Sequence, residues 1–292
     1  MSRLIRAISE NGGVIFSAID STEIVAEMER IHKTSAVTSA ALGRLLTAGA
    51  LMGAMLKSPE NSITLRVKGD GPAGLLLAVA DGAGHVKGMV ENPVVEIPLR
   101  ADGKLDVGSA VGKDGTLSVV RDLGMKEPYI GQIPLVSGEI AEDITSYYAV
   151  SEQIPTVCAL GVLVAPDLTI RRAGGFLLQL LPGATEEEIS RLEANVASMK
   201  SVTQMLEDGL TLENMMQLAL DGFDPEILDE QECAYSCDCS QERMERALIS
   251  LGREELTAMA QEEPIAEVCC QFCERHHHVD LKKLLEQLDA NS

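Results

Sequence analysis

Between Ser62 and Lys68 the chain reads SITLRVK. Ile63, Leu65 and Val67 alternate with polar positions, the period of a strand with one face buried. A second apolar run covers Leu75–Ala80. His85–Glu91, Val94–Leu99, Thr116–Val120 and Gln132–Val136 add further strand candidates, set apart by Gly, Pro and Asp. Ala159–Val164 and Gly175–Leu181 read as more deeply buried strands, and Ile140–Ser151 as a helix. Strands and helices intermix without a regular strand–helix–strand repeat, so the expected class is α+β.

After Pro182-Gly183 the period changes to that of helices. Thr185-Glu186-Glu187-Glu188 is a capping box, followed by Ile189, Leu192, Val196 and Met199 at helical spacing. Thr211 caps a helix carrying Leu212, Met215, Met216 and Ala219, and Gly222 can end it. Farther on, Ser240 caps a helix with Met244, Ala247, Leu248 and Leu251 on one face, closed by Gly252. Asp280 caps a last helix with Leu281, Leu284, Leu285 and Leu288. The pattern predicts three parts: an α+β core over 1–182, a helical linker over 183–231, and a small module over 232–292.

Two segments invite other readings. Gly69-Asp70-Gly71-Pro72-Ala73-Gly74 fits G-x-G-x-x-G. A dinucleotide loop needs a helix opening there to present its amides to phosphate. The next residues, LLLAVAD, read as a strand, so the motif is a hairpin turn. Ala36–Leu56 is apolar enough to suggest a membrane span. Arg44 sits near its middle, at a cost of roughly 2.5–3.5 kcal/mol in a bilayer, and small residues abound. It reads as a buried helix capped by Thr34 or Ser35.

The chain has 292 residues and a net charge of −21, unevenly spread. Residues 1–182 carry 20 acids and 16 bases, 183–231 carry 12 and 2, and 232–292 carry 13 and 6. Acidic side chains give solubility, and in 183–231 they also repel one another within a segment short of aromatic residues. That segment must lean on something else to stay folded. Such a balance offers no electrostatic footprint for nucleic acid or an anionic membrane surface. The first residues contain no apolar run of signal-peptide length, so a cytoplasmic protein is expected.

Six of the seven cysteines fall in two short runs, ECAYSCDCS (232–240) and VCCQFC (268–273). In a reducing compartment, clustered thiols read as metal-binding or redox-active rather than as disulfide staples. Zinc takes four soft ligands in a tetrahedron, commonly from two short-spaced pairs. Cys270 and Cys273 form a C-x-x-C knuckle. The other pair is Cys233 with Cys237 or Cys237 with Cys239. Cys239 directly precedes the Ser240 cap, and the thirty residues between Cys239 and Cys270 fit two helices and a return. The preferred set is therefore Cys237, Cys239, Cys270 and Cys273, with Cys233 and Cys269 spare. His276, His277 and His278 cannot all face the site, so they belong at the surface or around it. Cys158, in TVCALGVLV, reads as a small buried hydrophobe. A disulfide across C-x-C closes a strained small ring and is easily reduced again. Metal-bound sulfurs are also deprotonated, the form that oxidants attack.

CDCSQERMERALISLG and EELTAMAQEEPIAEVCCQFC resemble the zinc module of the bacterial 33-kDa redox-regulated heat-shock chaperone family. The resemblance extends through SAALGRLLTAGALMGAMLK, KGDGPAGLLLAVAD, GTLSVVRDLGMKEPYIGQIPLVSGEIAEDI, SEQIP and AGGFLLQLLPGA. It implies an ATP-independent holdase in the cytoplasm, not an enzyme. In the reduced form one zinc ion would be held by the four thiolates of Cys237, Cys239, Cys270 and Cys273, and the protein would be inactive. Oxidation would form Cys237–Cys239 and Cys270–Cys273 disulfides, release the zinc, and unfold module and linker. The exposed surface would then bind unfolding client proteins, and the oxidised form would be a homodimer. Cys233 and Cys269 lie outside the family's pattern, and the three histidines stand where it implies an aromatic-containing strand.

The alternative is a structural zinc-ribbon interaction protein without redox switching. A nucleic-acid binder is disfavoured by charge. A thiol oxidoreductase should open a helix with its C-x-x-C in a βαβ setting, which is not the pattern here. A hydrolase has only His32 and His85 to offer outside the module, and nothing local marks either as a base.

Overall fold

The computed structural model describes residues 1–290. The chain divides into two compact units, Met1–Ser236 and a second from Cys237 onward. In the first, strands β1 (Ser2–Ile8) and β2 (Val14–Asp20) lead into helices α1 (Thr22–His32) and α2 (Ala36–Gly53). An antiparallel meander follows, β3 (Ser62–Lys68), β4 (Leu75–Asp81) and β5 (His85–Val90). A short α3 (Val107–Val111) precedes the hairpin β6 (Thr116–Asp122) and β7 (Tyr129–Pro134). Helix α4 (Ala141–Tyr147) continues into a π-helical turn at Tyr148–Glu152. The long hairpin β8 (Thr156–Val164) and β9 (Ile170–Leu180) is followed by α5 (Glu186–Ser198), α6 (Val202–Glu207), α7 (Leu212–Ala219) and a last strand, β10 (Glu226–Tyr235).

These ten strands form one sheet in the order β7-β6-β3-β4-β5-β10-β1-β2-β9-β8. Every pairing is antiparallel except β10 with β5, where two residue pairs, Ala234 with His85 and Tyr235 with Val86, run parallel. One face packs on α2, whose residues are buried along nearly its whole length. The helix has the length and hydropathy to cross a membrane, but 89% of it is buried inside this unit. Arg44 reaches Glu139, Nη1 to Oε2, at 2.6 Å, which pairs the one charge in the run. Leu4, Met28, Leu45, Leu65, Leu76 and Tyr147 belong to this core.

A separate core lies on the opposite face of β1, β2 and β9. There Ile5, Val14, Phe16, Ala18, Phe176 and Leu178 meet apolar side chains of α5, α6 and α7, including Leu192, Met205, Leu206, Met215 and Met216. Phe16 and Phe176 stack with ring centroids 5.4 Å apart. The acidic helices thus cover a sheet face that would otherwise be apolar and open to water. Thr185 and Glu188 cap α5 reciprocally, as the sequence predicts, and Thr211 and Asn214 do the same for α7.

The structure departs from the sequence pattern in several places. Val94–Leu99 is not a strand. Pro93 and Pro98 remove two amide donors, and Val95 instead exchanges hydrogen bonds with the Ser35 hydroxyl at the start of α2. The helix predicted over Ile140–Ser151 is α4 plus the π turn, closed by Gln153 in the left-handed region. Neither β1 nor β2 is among the predicted strands. Both are buried on two faces, so their apolar residues do not alternate. The boundary expected between 231 and 232 falls inside β10, where Cys233 pairs with Ser2 of β1, and the first unit runs on to Ser236. Gly69 and Gly71 do lie in the β3–β4 turn. A Cβ at Gly69 would stand 2.2 Å from the Val111 carbonyl oxygen, and one at Gly71 2.4 Å from that of Ala110. The glycines permit close packing on α3, which explains the motif without a nucleotide.

The second unit holds α8 (Gln241–Ile249), α9 (Arg253–Glu262), the hairpin β11 (Ile265–Cys269) and β12 (His276–Asp280), and α10 (Leu281–Ala290). Ser240 caps α8 through the Arg243 amide, and Gly252, at φ 94°, makes the bend into α9. Asp280 Oδ1 accepts from the amides of Lys282 and Lys283, both at 3.1 Å, and so caps α10. Its core is small: Leu248, Leu256, Ala260, Ala266, Val279, Leu281 and Leu284. A unit this small commonly needs a metal or a cross-link to hold its fold.

Candidate metal centre

Two chain segments bring four sulfurs together. Cys237 and Cys239 lie in the segment that joins β10 to α8, with the Ser240 cap fixing the direction in which the chain leaves Cys239. Cys270 and Cys273 lie in the turn of the β11–β12 hairpin. There the Cys270 amide donates to the Arg275 carbonyl at 2.9 Å, while the Cys270 carbonyl accepts from the amides of Cys273 (3.3 Å) and Glu274 (2.8 Å). Glu274 occupies the left-handed region at φ 55° to close this knuckle.

All four Sγ atoms lie within 4.8 Å of one another. Cys237 and Cys270 approach to 3.6 Å, and Cys239 and Cys273 to 3.4 Å. A tetrahedron with sulfur bonds of about 2.3 Å has edges of about 3.8 Å. The donor set therefore suits one tetrahedral thiophilic ion. Cys239 and Cys270 are buried, and Cys237 and Cys273 partly so.

The electrostatics of the set favour an ion. Burial, together with the sulfurs of Cys273, Cys270 and Cys237, pushes the Cys239 thiol far above the usual range. Burial also raises Cys237. At Cys270 burial acts upward too, but hydrogen bonds from the Phe272 amide, the Cys237 thiol and the Cys273 amide and thiol outweigh it and lower its pKa. The charged form is thus disfavoured at Cys237 and Cys239 and favoured at Cys270, and a positive ion would be needed to hold all four as thiolates.

The remaining candidates fall elsewhere. Cys233 sits on β10 in the first unit, buried in its main core. Burial, with the Asp81 carboxylate adding, pushes its thiol up to about 11. This removes the C-x-x-x-C alternative, because Cys233 is spent on the sheet. Cys269, next to a cluster sulfur, points to the exposed face of β11. Cys158 packs against the main core from β8, and burial raises its pKa. The three histidines divide by strand alternation. His276 and His278 are exposed, whereas His277 is buried with Nε2 3.4 Å from Cys239 Sγ. Three adjacent histidines do not by themselves say which turns inward; the apolar Val279, two positions on from His277 and sharing its face, is the signal for it.

A family model described as Hsp33 protein matches residues 2–280 of the chain. The 33 kDa chaperonin of Clostridioides difficile (strain 630) is 47% identical over 285 residues, covering 98% of each chain. That of Geobacillus kaustophilus is 46% identical, over 98% of this chain and 96% of its own. The crystal structure of the 33 kDa chaperonin (heat shock protein 33 homolog) from Thermotoga maritima superposes with a TM-score of 0.90. It is 34% identical and covers 99% of both chains.

Proposed function

This chain belongs to the Hsp33 family, and we propose that it is a redox-regulated, ATP-independent chaperone of the holdase kind, acting in the cytoplasm by binding rather than catalysis. The observation that carries this reading is the four-sulfur cluster of Cys237, Cys239, Cys270 and Cys273 in a unit whose own core is small. The candidate ion is zinc, which suits four thiolates and a closed tetrahedral site. When bound, it would hold all four sulfurs deprotonated and tie the two knuckles together.

Oxidation by peroxide is the proposed trigger. Each peroxide takes two electrons from one pair of cluster sulfurs: one S–S bond forms, the O–O bond breaks, and with two protons, from the thiols or from solvent where the sulfurs are thiolates, two waters leave. Two peroxides would give Cys237–Cys239 and Cys270–Cys273. With both bonds formed, the cluster has no thiolates left to hold an ion. The two knuckles are then no longer joined, and structural zinc sites contribute apparent free energies of roughly 10–16 kcal/mol, more than so small a core can replace.

The nearest sulfurs, Cys237 with Cys270 and Cys239 with Cys273, lie across the knuckles. Crossed disulfides would staple the module in its folded form. Pairing within each knuckle is what the family resemblance implies, and it is the pairing that would leave the two knuckles free to separate. The three helices α5, α6 and α7 are proposed to detach in turn. Their loss would bare Ile5, Val14, Phe16, Phe176 and Leu178, a contiguous apolar face fit to bind unfolding clients or a second oxidised copy.

The test follows metal, thiols and holdase activity on one sample through warm peroxide treatment. One zinc lost, four thiols lost and client aggregation suppressed together support the switch. Zinc retained, or lost without holdase activity, would mark the cluster as a structural staple.

A further inference from the structure

The outer face of the β11–β12 hairpin carries a second set of metal-binding side chains. His276 and His278 are two apart on β12, so both imidazoles leave the same exposed face, with strand positions about 6.6 Å apart. The antiparallel register sets Cys269 directly opposite His276 and Glu267 directly opposite His278. Cross-strand partners have Cβ atoms about 4.5–5.5 Å apart. Glu267 also reaches diagonally, placing its Oε1 2.6 Å from His276 Nδ1.

All four of these side chains are exposed, so turning them costs little. The four-cysteine cluster lies on the other side: Cys270 and His277 are buried where Cys269, His276 and His278 are exposed. Among the described residues only the four cluster sulfurs already gather closely enough to hold an ion. The outer set would have to swing His276 off Glu267 and close on the ion.

We propose that this face binds a second divalent transition-metal ion, independently of the four-cysteine centre. Two imidazoles spaced i, i+2 on a strand supply the chelate, and Cys269 and Glu267 supply the cross-strand ligands. The mixed nitrogen, sulfur and oxygen donors suit zinc-class ions rather than magnesium or calcium. The site is open to solvent, so it would exchange its ion readily where the buried centre does not.

The test uses the reduced full-length chain, stripped with a mild chelator until one tightly held zinc remains, then titrated with Zn(II) alone by calorimetry and metal analysis. One further equivalent is expected. The variant His276→Gln/His278→Gln is expected to lose that equivalent while keeping the tightly held ion. A wild-type chain that takes up no second ion, or a variant that takes it up unchanged, overturns the proposal. If the double variant also sheds the tight ion, His278→Gln alone decides: loss of only the second equivalent supports the outer site, and its retention refutes it.

Discussion

His277 Nε2 lies 3.4 Å from Cys239 Sγ, buried on the inner face of β12. With its proton on Nε2 the ring donates to the sulfur, which stabilises the thiolate and lowers its nucleophilicity. Groups that orient metal ligands in this way typically contribute about 10–100-fold in metal affinity. His277→Phe fills the same inward position without the donor. It is expected to keep one ion per chain, bind it about tenfold more weakly, and lose it faster to peroxide. Competition with a chromogenic chelator measures both effects. Unchanged affinity and release rate would mean that His277 only packs there.

Arg3 of β1 ties α7 to β10. Its Nη2 lies 2.5 Å from Glu213 Oε1 on α7 and 2.8 Å from Glu230 Oε1 on β10. Arg6 pairs with Asp229 nearby. Two bases of the near-neutral core thus offset acids of the segment that would otherwise repel itself. Arg3→Ala is expected to speed exchange of α7 amides and hasten oxidative activation. Equal exchange in both proteins would assign the helix's attachment to apolar packing alone.

The same contact gives a pH dependence with a defined sign. The Arg3 hydrogen bond holds Glu213 at about 2, far below its ordinary 4.5. A carboxylate depressed on folding contributes stability that is present above 4.5 and lost as pH falls toward 2. Both groups are partly open to solvent, so the gain is modest. Acid should therefore loosen α7 in wild type more than in Glu213→Gln, which has no charge to lose. Parallel acid melts followed through a probe on α7 compare the two.

Met215 is 1% exposed in the core beneath the covering helices. Met215→Ala should weaken that layer by about 2–5 kcal/mol and lower the oxidant or temperature needed for holdase activity. A variant that is destabilised yet activates at the wild-type threshold would separate the covering layer from activation.

Thiol accessibility orders the cysteines outside the cluster. Cys269 is exposed, whereas burial holds Cys233 at about 11 and raises Cys158. Brief alkylation of the reduced chain carrying one ion should label Cys269 first and leave Cys233 unmodified. Labelling of Cys233 before Cys269, read by peptide mass, would place Cys233 in a more open setting than β10 gives it.

Much of this was legible in the chain. SITLRVK declares a half-buried strand because only one side of β3 is covered. Cys239 beside the Ser240 cap, with C-x-x-C thirty residues on, points to the four sulfurs that the structure gathers. What stayed hidden has physical causes. β1 and β2 lie between two cores, so burial on both sides erased their alternation. β10 is acidic, its residues alternating between exposed and only partly buried until Cys233, and it is held by its ladder to β1, so its sequence looks like linker. The pairing of Arg3 and Arg6 with distant acids depends on register, which no local pattern carries.

The most direct measurement is hydrogen exchange across α5, α6 and α7 in the reduced, metal-bound chain and in an oxidised sample verified to suppress aggregation. The expected result is protection of all three helices before oxidation and its loss afterwards, with β3, β4 and β6 still protected. Full protection of the three helices in the active oxidised sample would contradict the uncovering of the β1–β2–β9 face.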